Sequence, residues 1–446
     1  MEKTIKKFKL WFAIGTPFQV NIFHPIIEKF KDKVDLLVTA RNHDRILEIL
    51  DAKGVSYKAV GKHGGRELYG KLSAYAEGLS EFLPLLKAEK PDLMITERWP
   101  EAVRVAFGLN IPSWSIFYDE REYHVNRMVF PLSNKVFAPH FYTQGELRNQ
   151  GVIDTSSIVW FKGFNTTYLK GCCQPESDPF KEIGVSHPVV LVRTEPRFAS
   201  FFPGEKTTLE ETLRILVSSP DYKRGNFSLL AIPRDEHQRE RLERMGAPIF
   251  NRVTSENPVF FTDVLLGAAE TMLMEAFVLC KPCISAIYWT ESKPVKELHK
   301  YVPHSTSPQE LCSETLRLLK PEEAEAFKKR AWRIVDLMDN IAEKIADEIR
   351  VFLGIETRVK KYRHRRSELD LCMELIERVS LAPSKLTPLI YEIGISYNKL
   401  RILTRELVSK GILAESIGRN GNRYYQATDY GISLLSDYKR VKKILS

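Results

Sequence analysis

The sequence runs to 446 residues with 43% hydrophobic and 28% charged side chains, the balance of a globular protein able to bury more than one core. Lys and Arg outnumber Asp and Glu 66 to 57, but 18 basic and 10 acidic residues fall in 351–446, leaving 48 and 47 in 1–350. A near-neutral body thus carries a basic tail, which excludes a disordered chain and a uniformly cationic nucleic-acid coat.

No apolar run approaches the roughly 18 residues of a membrane-spanning helix. The apolar stretch 10–14 is too short for a signal-peptide core, so a cytoplasmic protein without membrane insertion is expected. Six cysteines in so long a chain are not a disulfide framework. Cys280 and Cys283 have CxxC spacing, but they flank Pro282 in an apolar segment with no second CxxC. They read as a reduced, packed pair, and no metal or resident cofactor is expected.

In chain order, short apolar runs at 9–14, 34–39, 56–60, 92–96, 113–118 and 135–138 read as buried strands. Helical patterns at 19–30, 44–52, 66–89 and 100–108 lie between them. Strand, helix, strand in succession gives βαβ units and a parallel sheet covered on both faces. The pattern restarts with strands at 189–193, 228–232, 248–250, 264–266 and 282–286 and helices at 208–217, 236–245, 271–279 and 308–319. Two doubly wound, Rossmann-like domains in series follow, 1–162 and 163–353, with the seam in 163–178. One long amphipathic helix, 321–353, closes the second.

A basic linker, 354–366, contains RVKKYRHRR at 358–366, and then the period changes. One helix starts at Ser367. Thr387-Pro388 opens another, and Ser396 caps a third with Leu400, Leu403 and Leu407 on one side. Gly411 stops it. Strands at 412–417 and 423–428 flank Arg419-Asn420-Gly421-Asn422, where Asn-Gly signals a type I′ hairpin turn. A last helix begins near Asp429. The fold class is therefore α/β, two Rossmann-like domains followed by a small winged helix-turn-helix domain, 367–446.

Two such α/β domains, with a helix able to cross back, leave a cleft at the carboxyl ends of their strands. No GxGxxG or Walker A sequence follows a strand, which argues against NAD and P-loop ATP. Three segments could hold phosphate. Residues 15–19, with Thr16, open a helix after the first strand. Gly64 and Gly65 lie beside Lys62, His63 and Arg66. Residues 267–272, with Thr271, join a strand to a helix amino terminus. Each also reads as an ordinary turn.

Several runs resemble, in order, the family called domain of unknown function 354. They are 15–30 (GTPFQVNIFHPIIEKF), 62–65, 104–119 (RVAFGLNIPSWSIFYD), 126–139 (NRMVFPLSNKVFAP), 192–200 (VRTEPRFAS), 232–234 (IPR) and 267–282. The resemblance spans about residues 8–345. That family looks like a member of the GT-B superfamily, similar to the non-hydrolysing UDP-N-acetylglucosamine 2-epimerases and the MurG-type transferases. The resemblance implies a GT-B arrangement, a nucleotide-sugar ligand such as a UDP-sugar held mainly by the second domain, and glycosyltransferase or sugar-epimerase chemistry.

Carried onto this sequence, the resemblance puts Glu275, in the pattern Glu-Ala-x4-Lys-Pro, near the nucleotide ribose. The alternative is a helix-face carboxylate paired with a lysine. Arg193 and Arg234 end successive strands and could meet a diphosphate, or pair with Glu195 and Asp235. Asp119 matches the family's strand-end acid, and with Glu120 it would serve as sugar-side acid/base. His24, His63 and His124 would be secondary proton-transfer partners. Two features depart from the family. Ala269 and Glu270 stand where it has two glycines, and Cys280 replaces the glycine of Leu-Gly-x-Pro. Glu270 sets negative charge where a diphosphate would lie, costing on the order of 1 kcal/mol even in water. The site is then altered or lost, unless Glu270 turns away or shares a divalent metal with the phosphates.

The tail resembles the archaeal winged helix-turn-helix domains through 367–376, 389–407, 411–413 and 424–431. Its third helix would present Asn398, Lys399, Arg401 and Arg405 to DNA, and Arg419 and Arg423 would reach phosphates from the wing. A protein-binding winged helix is the alternative; the concentrated charge favours DNA. Winged helices often act as pairs, so a homodimer is expected. Two functions remain open: a nucleotide-sugar enzyme fused to a DNA-binding domain, and a non-catalytic, ligand-sensing transcriptional regulator.

Overall fold

The run KLWFAI forms β1 (Lys9–Ile14), buried along five of its six residues, which marks a central strand covered on both faces. In the computed structural model the described residues are 8–445 apart from 44, 66, 173–174, 196–207, 235, 251–257, 289–291, 356–367, 394 and 419–420. Around β1 lie β2 (Asp35–Asn42), β3 (Lys58–Lys62), β4 (Leu93–Thr96), β5 (Ser113–Ile116), β6 (Lys135–Pro139) and β7 (Ile158–Phe161). All pair in parallel, in the order β3-β2-β1-β4-β5-β6-β7. The order reverses between β1 and β4, so the loops after these two strands diverge and leave a crevice. Sequence patterning missed β7, an edge strand whose two central residues are only half-buried. Beneath β1, the rings of Trp11, Phe82 and Trp99 pack in series at 5.4 and 5.1 Å. The indole N–H of Trp11 donates to Thr39 Oγ1 at 2.8 Å, so this core side chain leaves no donor unmet.

The second sheet contains β8 (Val189–Arg193), β9 (Ser228–Ile232), β10 (Val264–Gly267) and β11 (Cys283–Ser285), parallel in the order β11-β10-β8-β9. The expected strand at 248–250 is reduced to a single bridge, Ile249 to Ala231. The expected single helix 321–353 is two, Pro321–Asp336 and Ile341–Phe352. Asn340 breaks it: its Oδ1 accepts the N–H groups of Ala342 and Glu343 at 2.9 and 3.2 Å, a side-chain cap that starts a new helix. Ile341–Phe352 then crosses back to the first sheet's half. Its Glu343 and Glu348 pair with Lys29 and Lys135, and Phe352 packs edge-on to Trp114 at 5.7 Å.

The chain forms two compact units, Met1–Lys328 with Asp339–Glu356, and Lys329–Met338 with Thr357–Ser446. In the second, helices Glu368–Leu381, Leu386–Ile393 and Tyr397–Ser409 precede β12 (Leu413–Ile417), β13 (Arg423–Ala427) and the helix Asp429–Leu445. Leu375, Ile376, Leu389, Leu400, Leu403, Leu407 and Leu435 share one core with Leu337. The Ser396 side chain caps its helix as the sequence suggests, accepting the Lys399 N–H at 3.4 Å. Gly418 N–H donates to Asn422 O and Gly421 N–H to Gly418 O, both at 2.9 Å, with Gly421 at φ 72°. Arg419 and Asn420, within the expected type I′ turn, lie outside the described residues. No helix among the described residues is long and apolar enough to cross a membrane.

Two partly buried histidines make the first unit acid-sensitive. Burial pushes His140 down to about 4, and burial with the neighbouring His304 does the same to His299. An unfolded histidine titrates near 6.5. Between those values the unfolded chain binds more protons, so stability is full above about pH 6.5 and drains as the pH falls toward 4. His187, largely exposed and raised by Asp263 and Asp178 against a partial desolvation, acts in the opposite direction. The thermal midpoint of this unit should therefore fall on acidification from neutral pH, and combining His140→Gln with His299→Gln should flatten that slope.

Candidate functional site

Residues that follow β5 meet residues that follow β10. The strand β10 runs into the helix Glu270–Val278, whose amino terminus carries Ala269 as N-cap. Arg121 Nη2 donates to both carboxylate oxygens of Glu270, at 2.7 and 2.9 Å. The same guanidinium holds Asp119, through Nε at 3.0 Å to each oxygen and through Nη2. Burial alone would lower the proton affinity of Arg121, but the bonds to Asp119 and the charge of Glu270 raise it, so the guanidinium stays charged. Tyr118 and Thr271 share a hydroxyl contact of 3.2 Å. Glu120 takes the backbone N–H of Lys293 at 2.7 Å and the hydroxyl of Tyr142. Tyr168 donates to Glu275 Oε1 at 2.9 Å.

These contacts revise the roles read from sequence. Asp119 and Glu120 lie three and four residues beyond the end of β5, in the loop whose Arg121 and Glu120 meet the second domain. One is clamped by Arg121, and the other accepts the first N–H of the helix Lys293–Leu298. His24 does not reach the cleft. It sits in the second turn of the helix Pro17–Phe30, where the charges that act on it come from Lys53, Glu28 and Lys31. His63 stacks on His43 at 4.1 Å, and His124 lies against the Tyr123 ring at 5.7 Å. Glu275 accepts from the Tyr168 hydroxyl, a partner not considered from sequence. Of the alternatives for Glu270, the carboxylate turns to the first domain and meets Arg121.

Arg193 and Arg234 are brought together. Arg193 ends β8 and donates through Nη1 to the carbonyls of Ile232 and Pro233, at 3.1 and 2.7 Å. Burial and the charge of Arg234 push its proton affinity down to about 9. A guanidinium does not give up its proton at neutral pH, so Arg193 remains a partly desolvated cation beside Arg234. Glu195 is not its surface partner; it accepts the Leu209 N–H at 2.8 Å and so begins the helix Thr208–Ser218. Asp235 lies outside the described residues.

On the first sheet, Thr16 is the N-cap of Pro17–Phe30, yet its hydroxyl caps nothing and is buried without a partner. Gly64 and Gly65 occupy the loop after β3. A Cβ on Gly64 would sit 2.3 Å from the carbonyl oxygen of Gly70, so that glycine answers a close backbone approach. Sequence reasoning passed over Glu97 and Arg98, which follow β4 at the crevice. Glu97 is 3% exposed and accepts from Gln19 Nε2 at 3.1 Å, while Gln19 Oε1 takes the Gly15 N–H at 2.7 Å. Burial raises the proton affinity of Glu97 against the opposing charge of Arg98. A charged pair directly after a fully buried strand was the available signal. Its meaning depends on the strand order, which the sequence does not display.

Cys280 follows the phosphate-side helix with φ 56°, the left-handed position that ends helices and favours glycine. Burial pushes its thiol up to about 11, which keeps it protonated and unreactive. Cys280→Gly is expected to stabilise the first unit by about 1 kcal/mol, read by urea unfolding, because it removes a left-handed Cβ penalty. Among the described residues no group of three or more His, Cys, Asp or Glu side chains could hold a metal ion.

In the winged helix, Asn398, Lys399, Arg401 and Arg405 are all exposed on Tyr397–Ser409, opposite buried Leu400, Leu403 and Leu407. Tyr397 and Ile402, 48% and 63% exposed, share that helix and were not read from sequence. Arg423 is not free at the wing, since it pairs with Glu415 at 2.7 Å. Arg419 and the basic run 358–366 lie outside the described residues.

Comparison with known proteins supplies the family context. Residues 8–350 match the family model "Protein of unknown function (DUF354)", and residues 365–446 match a winged helix-turn-helix model. An uncharacterized protein of Methanocaldococcus jannaschii is 27% identical over 285 residues, covering 62% of this chain and 81% of that one. Among solved structures, the UDP-GlcNAc 2-epimerase of Neisseria meningitidis bound to UDP-GlcNAc is similar with a TM-score of 0.56 at 15% identity, covering 78% of this chain and 100% of the other. The UDP-GlcNAc 2-epimerase of Methanocaldococcus jannaschii in complex with UDP-GlcNAc and UDP gives 0.54 at 15% identity, with the same coverage. At that identity the likeness establishes the two-domain GT-B-like fold.

Proposed function

The chain belongs to the DUF354 family of proteins of unknown function, and from that premise we propose that its body binds a nucleoside-diphosphate sugar while its tail binds duplex DNA. The observation that carries the reading is the pair Arg193 and Arg234 at adjacent strand ends, two like charges whose mutual cost a diphosphate would relieve. The amino terminus of Glu270–Val278, with Thr271, adds free N–H groups on the same side. Glu270 shares Arg121 with Asp119 and its charge also reaches Arg234, so a diphosphate here would lie beside one carboxylate that the guanidinium does not neutralise. Solved proteins of the same fold that hold UDP-GlcNAc support the ligand class. If the cleft turns its ligand over, as a transferase or an epimerase, Glu97 is its best-placed proton carrier, since burial holds it ready to accept a proton.

The sensor reading also draws on a specific observation: of the two acids expected to do chemistry, Asp119 is held by Arg121 of its own loop and Glu120 accepts the Lys293 N–H of the second domain. Incubation with UDP- and GDP-sugars separates the two readings. Release of nucleoside diphosphate or inversion at a sugar carbon, followed by NMR, indicates the enzyme; saturable binding without turnover indicates the sensor. For the tail, gel shifts of duplex DNA should weaken steeply with salt and weaken further in Arg401→Ala and Arg405→Ala. Salt-independent retention, or none, removes the DNA assignment.

A further inference from the structure

The first domain holds a set of polar groups that the diphosphate reading leaves unused. Arg98 lies over the Tyr118 ring at 5.4 Å, and its Nε and Nη1 are buried without a hydrogen-bond partner. The Thr16 hydroxyl is buried and unpartnered in the same way. Both segments touch the Tyr118 ring. Phe18, two residues after Thr16, packs on Tyr118 at 6.1 Å, so Tyr118 links the end of β1 to the end of β4. Folded proteins satisfy nearly all such donors, and a guanidinium left with two unmet N–H groups is the costliest kind to leave empty. Glu97 does not serve as its partner. That carboxylate acts on Arg98 only through its field and spends its hydrogen bond on Gln19.

We propose that Arg98, with Thr16, forms an oxyanion subsite on the sugar side of the cleft, taking a carboxylate or phosphate ester carried by the ligand. The proposal rests on the nucleotide-sugar reading for its placement. Tyr118 carries Arg98 on its ring and meets Thr271 through its hydroxyl, so the subsite adjoins the helix end assigned to the diphosphate. A nucleoside diphosphate anchored at Arg193 and Arg234 would direct its sugar toward Tyr118 and Arg98. The anion belongs either to the donor sugar, as in a uronate, or to a separate phosphorylated acceptor.

Calorimetry on the full-length protein distinguishes the two sources. One arm compares UDP-glucuronate with UDP-glucose; the other compares glucose 6-phosphate with glucose in the presence of UDP. The anionic member of one pair is expected to bind at least about tenfold tighter, and Arg98→Met should erase that gap while leaving the affinity for UDP unchanged. Equal affinities in both arms of the wild-type protein overturn the subsite without needing any variant, and so does a preference that survives in Arg98→Met. If UDP itself does not bind, the nucleotide reading fails. Free glucuronate and glucose 6-phosphate against glucose, on the same two proteins, then decide the subsite by the same criterion.

Discussion

Arg121→Ala is expected to destabilise the first unit by about 3–5 kcal/mol, the largest stability effect of any single replacement in the cleft. The cause is geometric. One guanidinium serves two carboxylates, Asp119 and Glu270, whose side chains are 5% and 8% exposed. Removing it leaves two buried negative charges facing each other across the domain boundary. The loss should be read by urea unfolding followed through tryptophan fluorescence. Its origin is testable by exchanging the whole cluster. Asp119→Asn, Arg121→Met and Glu270→Gln together should recover most of the stability, because no unpaired charge remains. A triple variant no more stable than Arg121→Ala would mean that shape, not charge, holds the domains together.

Arg193→Met is expected to separate binding from stability. Charge-assisted hydrogen bonds to a phosphate are worth about 1.5–3 kcal/mol, so the affinity for UDP should drop by roughly ten- to a hundredfold. The fold itself should hold or gain, since a desolvated cation beside Arg234 has been replaced by an apolar side chain. Calorimetry and unfolding on the same preparation give both numbers. A variant that loses stability and keeps its affinity would make Arg193 a structural residue.

Most of the fold was legible in the sequence for a simple reason. The central strands are buried on both faces, so they appear as unbroken apolar runs, and β1, β8 and β9 fall where those runs do. Elements at the margins were harder. β7 is half-exposed, Ile249 makes one bridge, and the break at Asn340 depends on a single side chain capping the next helix. The site was legible in part. Arg193, Arg234, Glu270 and Thr271 lie at strand and helix ends that periodicity locates. Arg98 and Arg121 matter because of what lies opposite them, and opposition across a cleft has no local signature. Glu120 shows the converse: an acid at a strand end looks catalytic until its partners, Tyr142 and the Lys293 N–H, are known.

The central claim is that the paired guanidiniums of Arg193 and Arg234 form a nucleoside-diphosphate site. Titration of UDP into the full-length protein, with uridine as control, tests it most directly. Saturable binding of UDP at one site per chain, absent for uridine and strongly weakened in Arg193→Met, is the predicted result. No saturable heat from UDP at millimolar concentration, or equal binding of UDP and uridine, would contradict it.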